Sequence, residues 1–298
     1  MSNILPVLTG IIACVAAYGQ HKKYFAVDSR QECTRVHLSV DAKAGNYIIQ
    51  SHKGPELINV FSNEQHGDGL YQLQQRQIGP VQKIAVEINN DEEQGFTRSI
   101  SRRMLGDETL SPEECLWKVF LSESKPYRLD LDYAVGNANL DLSGLSIEHL
   151  NINTGSADVE ISYDQAPNKL VMDTFHVKVD MGSLVVHDIS RARSRMIEAE
   201  VGFGSLMLDF SERPTVTQLV RGTVGAGSMV ILLPDKSVPI LVRISDSWLS
   251  SIAIPDDFQQ VGENIFANPA CSYSKSSPMK FDLDVAMGRI ILREKSSD

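Results

Sequence analysis

The 298-residue chain is poor in the residues that most chemistry uses: four cysteines, two tryptophans and seven histidines. No two of the histidines, at positions 21, 37, 52, 66, 149, 176 and 187, stand at an HxxxH or HExxH spacing, which argues against a zinc hydrolase. If Cys14 is lost with a processed N-terminus, Cys33, Cys115 and Cys271 remain, an odd number that cannot complete a disulfide framework. One bridge stays open, and separated thiols are the plainer reading. Basic residues are in deficit, 28 against 38 acidic ones for a net charge of −10, so nucleic acid is not an expected partner. Long amphipathic helical patterns are missing as well, which makes the class all-β. What is present, 42% hydrophobic and 22% charged residues, suits a chain that buries a core.

The longest uncharged apolar stretch, Ile4 to Tyr18, falls short of the roughly 20 residues a spanning helix needs and has the length of a secretory h-region. Ala17 and Gly19 stand at −3 and −1 before Gln20, so residues 1–19 read as a signal peptide, although Met1 to Thr9 carries no Lys or Arg. Ile11-Ile12-Ala13-Cys14 also resembles a lipobox, which makes Cys14 a candidate lipid anchor. An apolar segment packed on the domain is the alternative.

A repeated unit dominates the remainder. Gly136, Gly155, Gly182, Gly204, Gly227 and Gly288 share one context, with spacings of 19, 27, 22, 23 and 61. Three residues before each stands Tyr133, Ile152, Val179, Val201, Val224 or Val285, and two after it Ala138, Ala157, Leu184, Leu206, Met229 or Ile290. Apolar residues return at +4, so each flank has period 2, the signature of a strand with one buried face. The step from −3 to +2 is odd, so the chain must bend at the glycine, where the missing Cβ admits a positive φ, a bulge or a neighbouring rung. The six glycines are therefore the expected corner residues. One such unit cannot bury its inner face, whereas stacked rungs can, and the expected fold is a single-stranded β-solenoid with a β-sandwich as the alternative. Gly45, with Ala42, Tyr47 and Ile49 around it, reads as a further rung, and Ser250, followed by Ile252 and Ile254, as a degenerate one. The chain divides into residues 30–115, a β segment with a polar insertion near 89–114, and the repeat region 116–298. The charged tail REKSSD reads as the cap of the last coil, favouring a monomer.

From Trp117 onward the sequence resembles the toast-rack type domain of bacterial adhesin-like proteins, related to proteins of the cell-wall-active antibiotic response. The resemblance rests on the LDLSGL phrase, the Gly-Ser corners, VGAGSMVILLP and the closing FDLDVAMGRIIL, and extends over about Val36 to Leu292. It implies a β-solenoid presented outside the cytoplasm, in some members within envelope-stress signalling. The set of N-terminal spanning helices of the membrane-regulator members is absent here, which puts a direct part in that signalling in doubt.

Catalytic motifs are scarce. HGDG at His66 to Gly69 reads as a turn, and GFGS and GAGS are followed by strands where phosphate binding needs a helix. No GxSxG elbow occurs. The two DLD pairs, Asp130 with Asp132 and Asp282 with Asp284, are candidate Ca²⁺ ligands or an acid/base pair if they converge, and otherwise the solvent side of half-buried strands. Arg191, Arg193 and Arg195 form a small basic group that could meet an anionic polymer. No catalytic, cofactor-binding or metal-binding residue is assigned. The expected function is a non-enzymatic exported protein, periplasmic or in the cell envelope, an adhesin-like or scaffold module for a glycan, lipid or protein. An envelope-stress partner, a polysaccharide-degrading enzyme and a cytoplasmic scaffold are the alternatives.

Overall fold

The computed structural model describes residues 22–62, 71–88, 116–275 and 279–295. The apolar N-terminus with Cys14, the HGDG turn, Cys115 and the polar insertion lie outside the described residues. Each rung is a strand, a corner and a second strand, so the stack builds two facing sheets, here called front and back.

Alternation decides which residues go inside. Three long strands, β2 (Arg35–His52), β7 (Pro126–Asp141) and β8 (Ser146–Ser162), run through the corner and supply both sheets. In β7 the inward set Tyr127, Leu129, Leu131 and Tyr133 gives way after Gly136 to Ala138 and Leu140, so the parity of burial switches at the bend as the odd step requires. Later rungs break there into pairs: β9 (Met172–Val179) with β10 (Ser183–Val186), β11 (Ser194–Val201) with β12 (Ser205–Asp209), and β13 (Leu219–Val224) with β14 (Ser228–Leu233). All these neighbours are parallel, and apart from one shift between β7 and β8 they are in register, as for Val177 beside Ala199 and Leu206 beside Met229. The two sheets close on one aliphatic core, with the rings of Phe210, after β12, and Phe281 of the front sheet 5.7 Å apart. The all-β solenoid-like stack is thus the observed fold.

Chain order and stacking order differ at both ends. β5 (Val81–Ile88) and β6 (Leu116–Ser122) follow β2 in sequence, yet they stack outside it and leave β7 on its other side. The outermost layer is antiparallel: β4 (Tyr71–Ile78) on β5, and β3 (Ile58–Ser62) with β1 (Lys22–Val27) on β6. At the other end β15 (Ile240–Asp246) and β16 (Ser251–Ala253) leave a gap that the last rung, β19 (Met279–Val285) and β20 (Arg289–Glu294), fills. The antiparallel β17 (Gln259–Gly262) and β18 (Ile265–Ala267) cover β15. The reading of the C-terminal tail as the end cap is corrected: the rung that carries it is paired on both sides, because an interior slot hydrogen-bonds both edges of β19 and β20.

Turns on the third side stack too, and two buried asparagines stand in for strand partners. Asn168 Oδ1 accepts from Ile147 N–H at 2.7 Å, and its Nδ2 donates to the carbonyls of Ile147 and Leu170. Asn268 does the same for Ile240 and Val238. Backbone groups that a loop would leave orphaned are satisfied in this way.

Candidate functional site

The outward side chains of the front sheet fall into rows, because paired strands, antiparallel for β4 on β5 and parallel in the stack from β5 to β15, place facing positions side by side. One row reads Arg76, Lys83, His37, Arg128 and His149 across β4, β5, β2, β7 and β8. It continues on the following strands with Thr174, Met196 and Leu219, and a cation returns only after those three, at Lys280 of β19. Five adjacent strands spaced about 4.8 Å apart make a basic row of roughly 19 Å. Among the described residues no carboxylate pairs with Arg76 or Lys83. Beside Arg76, Lys83 and His37 the surface sinks into a cleft of about 400 Å³ that Ser39 and Gln74 also line.

The next row holds Gln74, Ala85, Ser39, Asp130 and Asn151. Asp130 lies 2.5 Å from His37 Nε2 and accepts a long bond from Arg128 Nε at 3.4 Å. Burial works to raise its carboxyl pKa, but the hydrogen bond of His37 and the charge of Arg128 outweigh it and hold the group below the usual carboxylate range. His149 is pushed the other way from charge, below the ordinary imidazole range, first by burial and then by Arg128. Lowered in this way, it adds little positive charge to the row, whose lysine and arginine side chains are Lys83, Arg76 and Arg128. Acids return one row further, as Glu87, Asp41 and Asp132, with Asp41 paired to Lys43 at 2.8 Å.

Beyond β8 the same sheet neutralises itself. His176, Glu198, Arg221, Asp282 and Arg243 follow one another across β9, β11, β13, β19 and β15. Ion pairs link Arg221 to Glu198 at 3.5 Å and Arg243 to Asp282 at 3.7 Å, and His176 Nδ1 lies 3.6 Å from the same Glu198 carboxylate.

The sequence-derived candidates are placed as follows. The two DLD pairs lie on β7 and β19 with β8, β9, β11 and β13 between them, roughly 24 Å apart, so they do not converge. Asp130 is held by His37 and Arg128, Asp132 accepts from Asn153 Nδ2 at 2.7 Å, and Asp282 faces Arg243. Arg191, Arg193 and Arg195 are spent on structure: Arg191 donates to the Asp164 carbonyl, Arg193 to those of Asn168 and Lys169, and Arg195 reaches Asp173. Cys33 is buried and Cys271 half-buried, both as free thiols.

Gly136 lies over Gly45, and Gly204, Gly227 and Gly288 each over the glycine of the preceding rung, where an added Cβ would stand 2.0–2.3 Å from a carbonyl oxygen. Gly182 makes the same approach, but to Ala157, and Ser250 is in register with Gly288. Gly155 is not in this column. It sits against Ala134, 2.8 Å from where its Cβ would meet the carbonyl, and Ala157 takes the column position.

The basic row was missed in the sequence because its residues come from positions 37 to 149 and the stacking order is permuted. Alternating charge on single strands was the visible signal, and it gave no register.

The model of the N-terminal domain of toast_rack, DUF2154, matches residues 17–186, more than half of the chain. The chain belongs to the toast-rack family. That match covers the basic row and cleft and stops at the end of β10. Two solved structures are similar over most of their length. A putative cell adhesion protein from Clostridium sporogenes is 15% identical over 93% of this chain and 100% of its own, with a TM-score of 0.41. A putative adhesin from Bacteroides fragilis is 10% identical over 92% and 96%, with a TM-score of 0.36. No curated protein matches the chain. Among the described residues no helix is long and apolar enough to cross a membrane.

Proposed function

We propose that this toast-rack protein is a non-enzymatic binding module of the cell envelope that presents its front sheet to a partner. The observation that carries the reading is the sheet itself. Parallel strands in register, with one shift at the step from Tyr127 to Arg128 between β7 and β8, offer rows of outward polar side chains at a fixed spacing, a surface suited to a long, repetitive ligand. Membership of the toast-rack family and the h-region-like stretch from Ile4 to Tyr18 support display outside the cytoplasm. The separation of the two DLD pairs counts against the polysaccharide-degrading alternative, which called for their convergence in one groove.

The test is the intact mass and cell fraction of the protein from its native host. A chain that starts at Gln20, or an acylated Cys14, in the envelope fraction is the expected result. A chain that keeps Met1 and stays in the soluble cytoplasm would overturn the reading.

A further inference from the structure

Within the basic row on the front sheet, His37 and Arg128 hold Asp130, whereas Arg76 and Lys83 have no carboxylate partner among the described residues. In a protein of net charge −10, three permanent cations stand on strands β4, β5 and β7 in one row, two of them without a carboxylate partner among the described residues. The contrast with the neighbouring row beyond β8, where Glu198, Arg221, Asp282 and Arg243 alternate in sign, is internal to the same sheet, so it does not follow from strand geometry. Charges are normally interspersed on such a surface, and an uncompensated line of one sign beside a cleft creates a local positive potential.

We infer that this row and its cleft bind an acidic polysaccharide, laid across the strands so that successive carboxylates meet Arg76, Lys83 and Arg128. The inference rests on the reading of the front sheet as a binding surface, and does not depend on the compartment. Three features select the class. The guanidinium forks of Arg76 and Arg128 match a carboxylate in bidentate fashion, while Lys83 supplies a point charge. Ser39, Gln74 and Asn151, one position along, offer hydroxyl and amide groups that suit sugar hydroxyls. His37, held by Asp130, borders both rows.

Single-stranded nucleic acid fits less well. The positions Arg76, Lys83, His37, Arg128 and His149 contain no Phe, Tyr or Trp, the large rings on which bases stack best. Asp130 beside the row, and Glu87, Asp41 and Asp132 beyond it, leave room for a thin chain with spaced charges and repel a wider or denser polyanion.

The experiment titrates the full chain with polygalacturonate, neutral dextran and single-stranded polyuridylate by calorimetry at several salt concentrations. Polygalacturonate should bind with log K falling linearly against log salt, as counterion release requires, and dextran should not bind. The double substitution Arg76→Gln/Lys83→Gln should weaken polygalacturonate at least tenfold and flatten the salt slope. Both side chains are exposed, so the melting temperature should not change. Arg221→Gln, in the self-neutralised row, should leave affinity within twofold. Equal binding by the double variant would overturn the site, and polyuridylate binding as tight as polygalacturonate would overturn the ligand class. Retention of dextran alone would overturn the acidic-ligand inference and leave the binding-module reading standing.

Discussion

The corner between the two sheets is built in two ways along one molecule. In the first half, Gly45 and Gly136 have φ of +128° and +117°, and β2 and β7 pass through the bend as unbroken strands. In the second half, Gly182, Gly204, Gly227 and Gly288 keep ordinary φ values, the strand stops, and the residue before the glycine is turned outward. Those outward residues are Met181, Phe203, Ala226 and Met287, all exposed. One residue type therefore answers two physical demands. Gly136, Gly182, Gly204, Gly227 and Gly288 must let a carbonyl of the neighbouring rung approach where a Cβ would stand, and only Gly45 and Gly136 must hold a conformation that L side chains rarely adopt.

The largest effect should come from adding a single methyl at each kind of corner. Gly136→Ala meets both demands at once, strain of about 1–3 kcal/mol and overpacking of similar size, so a loss of about 4 kcal/mol is expected. Gly204→Ala meets only the second, where its Cβ would lie 2.3 Å from the Gly182 carbonyl, and should cost about 2 kcal/mol. Urea unfolding of the two variants measures the difference. Equal losses would mean that the left-handed φ adds nothing and that the two corners are energetically one.

The far ends of the back strands allow a second, smaller comparison. Asp141 in the first half and Asp209 in the second each accept a backbone N–H two residues on, from Ser143 at 3.0 Å and Ser211 at 2.8 Å. Only Asp209 is buried, and it also receives Lys295 at 3.0 Å, which ties the chain after β20 to β12. Burial works to raise the Asp209 carboxyl, but hydrogen bonds from Ser211 and Lys295 prevail and hold it below the usual range. A depressed folded pKa gives stability that is present above the unfolded carboxylate value of about 3.9 and is lost as pH falls through the folded value. Asp209→Asn should therefore cost about 2 kcal/mol at pH 7, and that cost should shrink as the wild type is acidified below about pH 4. Asp141→Asn should cost less at neutral pH. Chemical denaturation of both variants between pH 3 and 7 checks the sign. A penalty for Asp209→Asn that grows toward acid pH would contradict it.

Both corner types carry the same sequence signal, which explains what could be read in advance and what could not. Period-2 alternation on either side of a glycine determines which residues face the core, and the inward sets of β7, β9 and β11 follow from it. Gly155 was aligned with the column although Ala157 occupies that place. A slip of two residues keeps every side chain on its own face, so the apolar pattern is blind to it, and only pairing of Gly136 with Ala157 reveals it. The gap of 61 residues before Gly288 was visible, but not that β19 and β20 return to fill a slot between earlier strands. Likewise Arg76, Lys83, His37 and Arg128 were ordinary solvent-side residues until the permuted stack placed them in one row.

The smallest expected effect tests the outward residues themselves. At a corner where the strand ends, the chain reverses its facing over very few residues, and the position before the glycine has the next rung's backbone on its inner side and so points to solvent. Phe203 is 76% exposed, so its ring has left little surface to lose on mutation. Phe203→Ser should change stability by no more than about 0.5 kcal/mol, as for an exposed site away from any buried contact. By contrast, Tyr133→Ser, at an inward position of the first-half corner, removes a buried ring that packs at 5.5 Å against the tilted ring of Tyr47 and should cost at least about 3 kcal/mol. Thermal unfolding of the pair reads the contrast directly. A loss for Phe203→Ser of more than about 1 kcal/mol would show that the outward column packs on itself along Met181, Ala226 and Met287, and the second corner would then hold the stack together from outside as well as within.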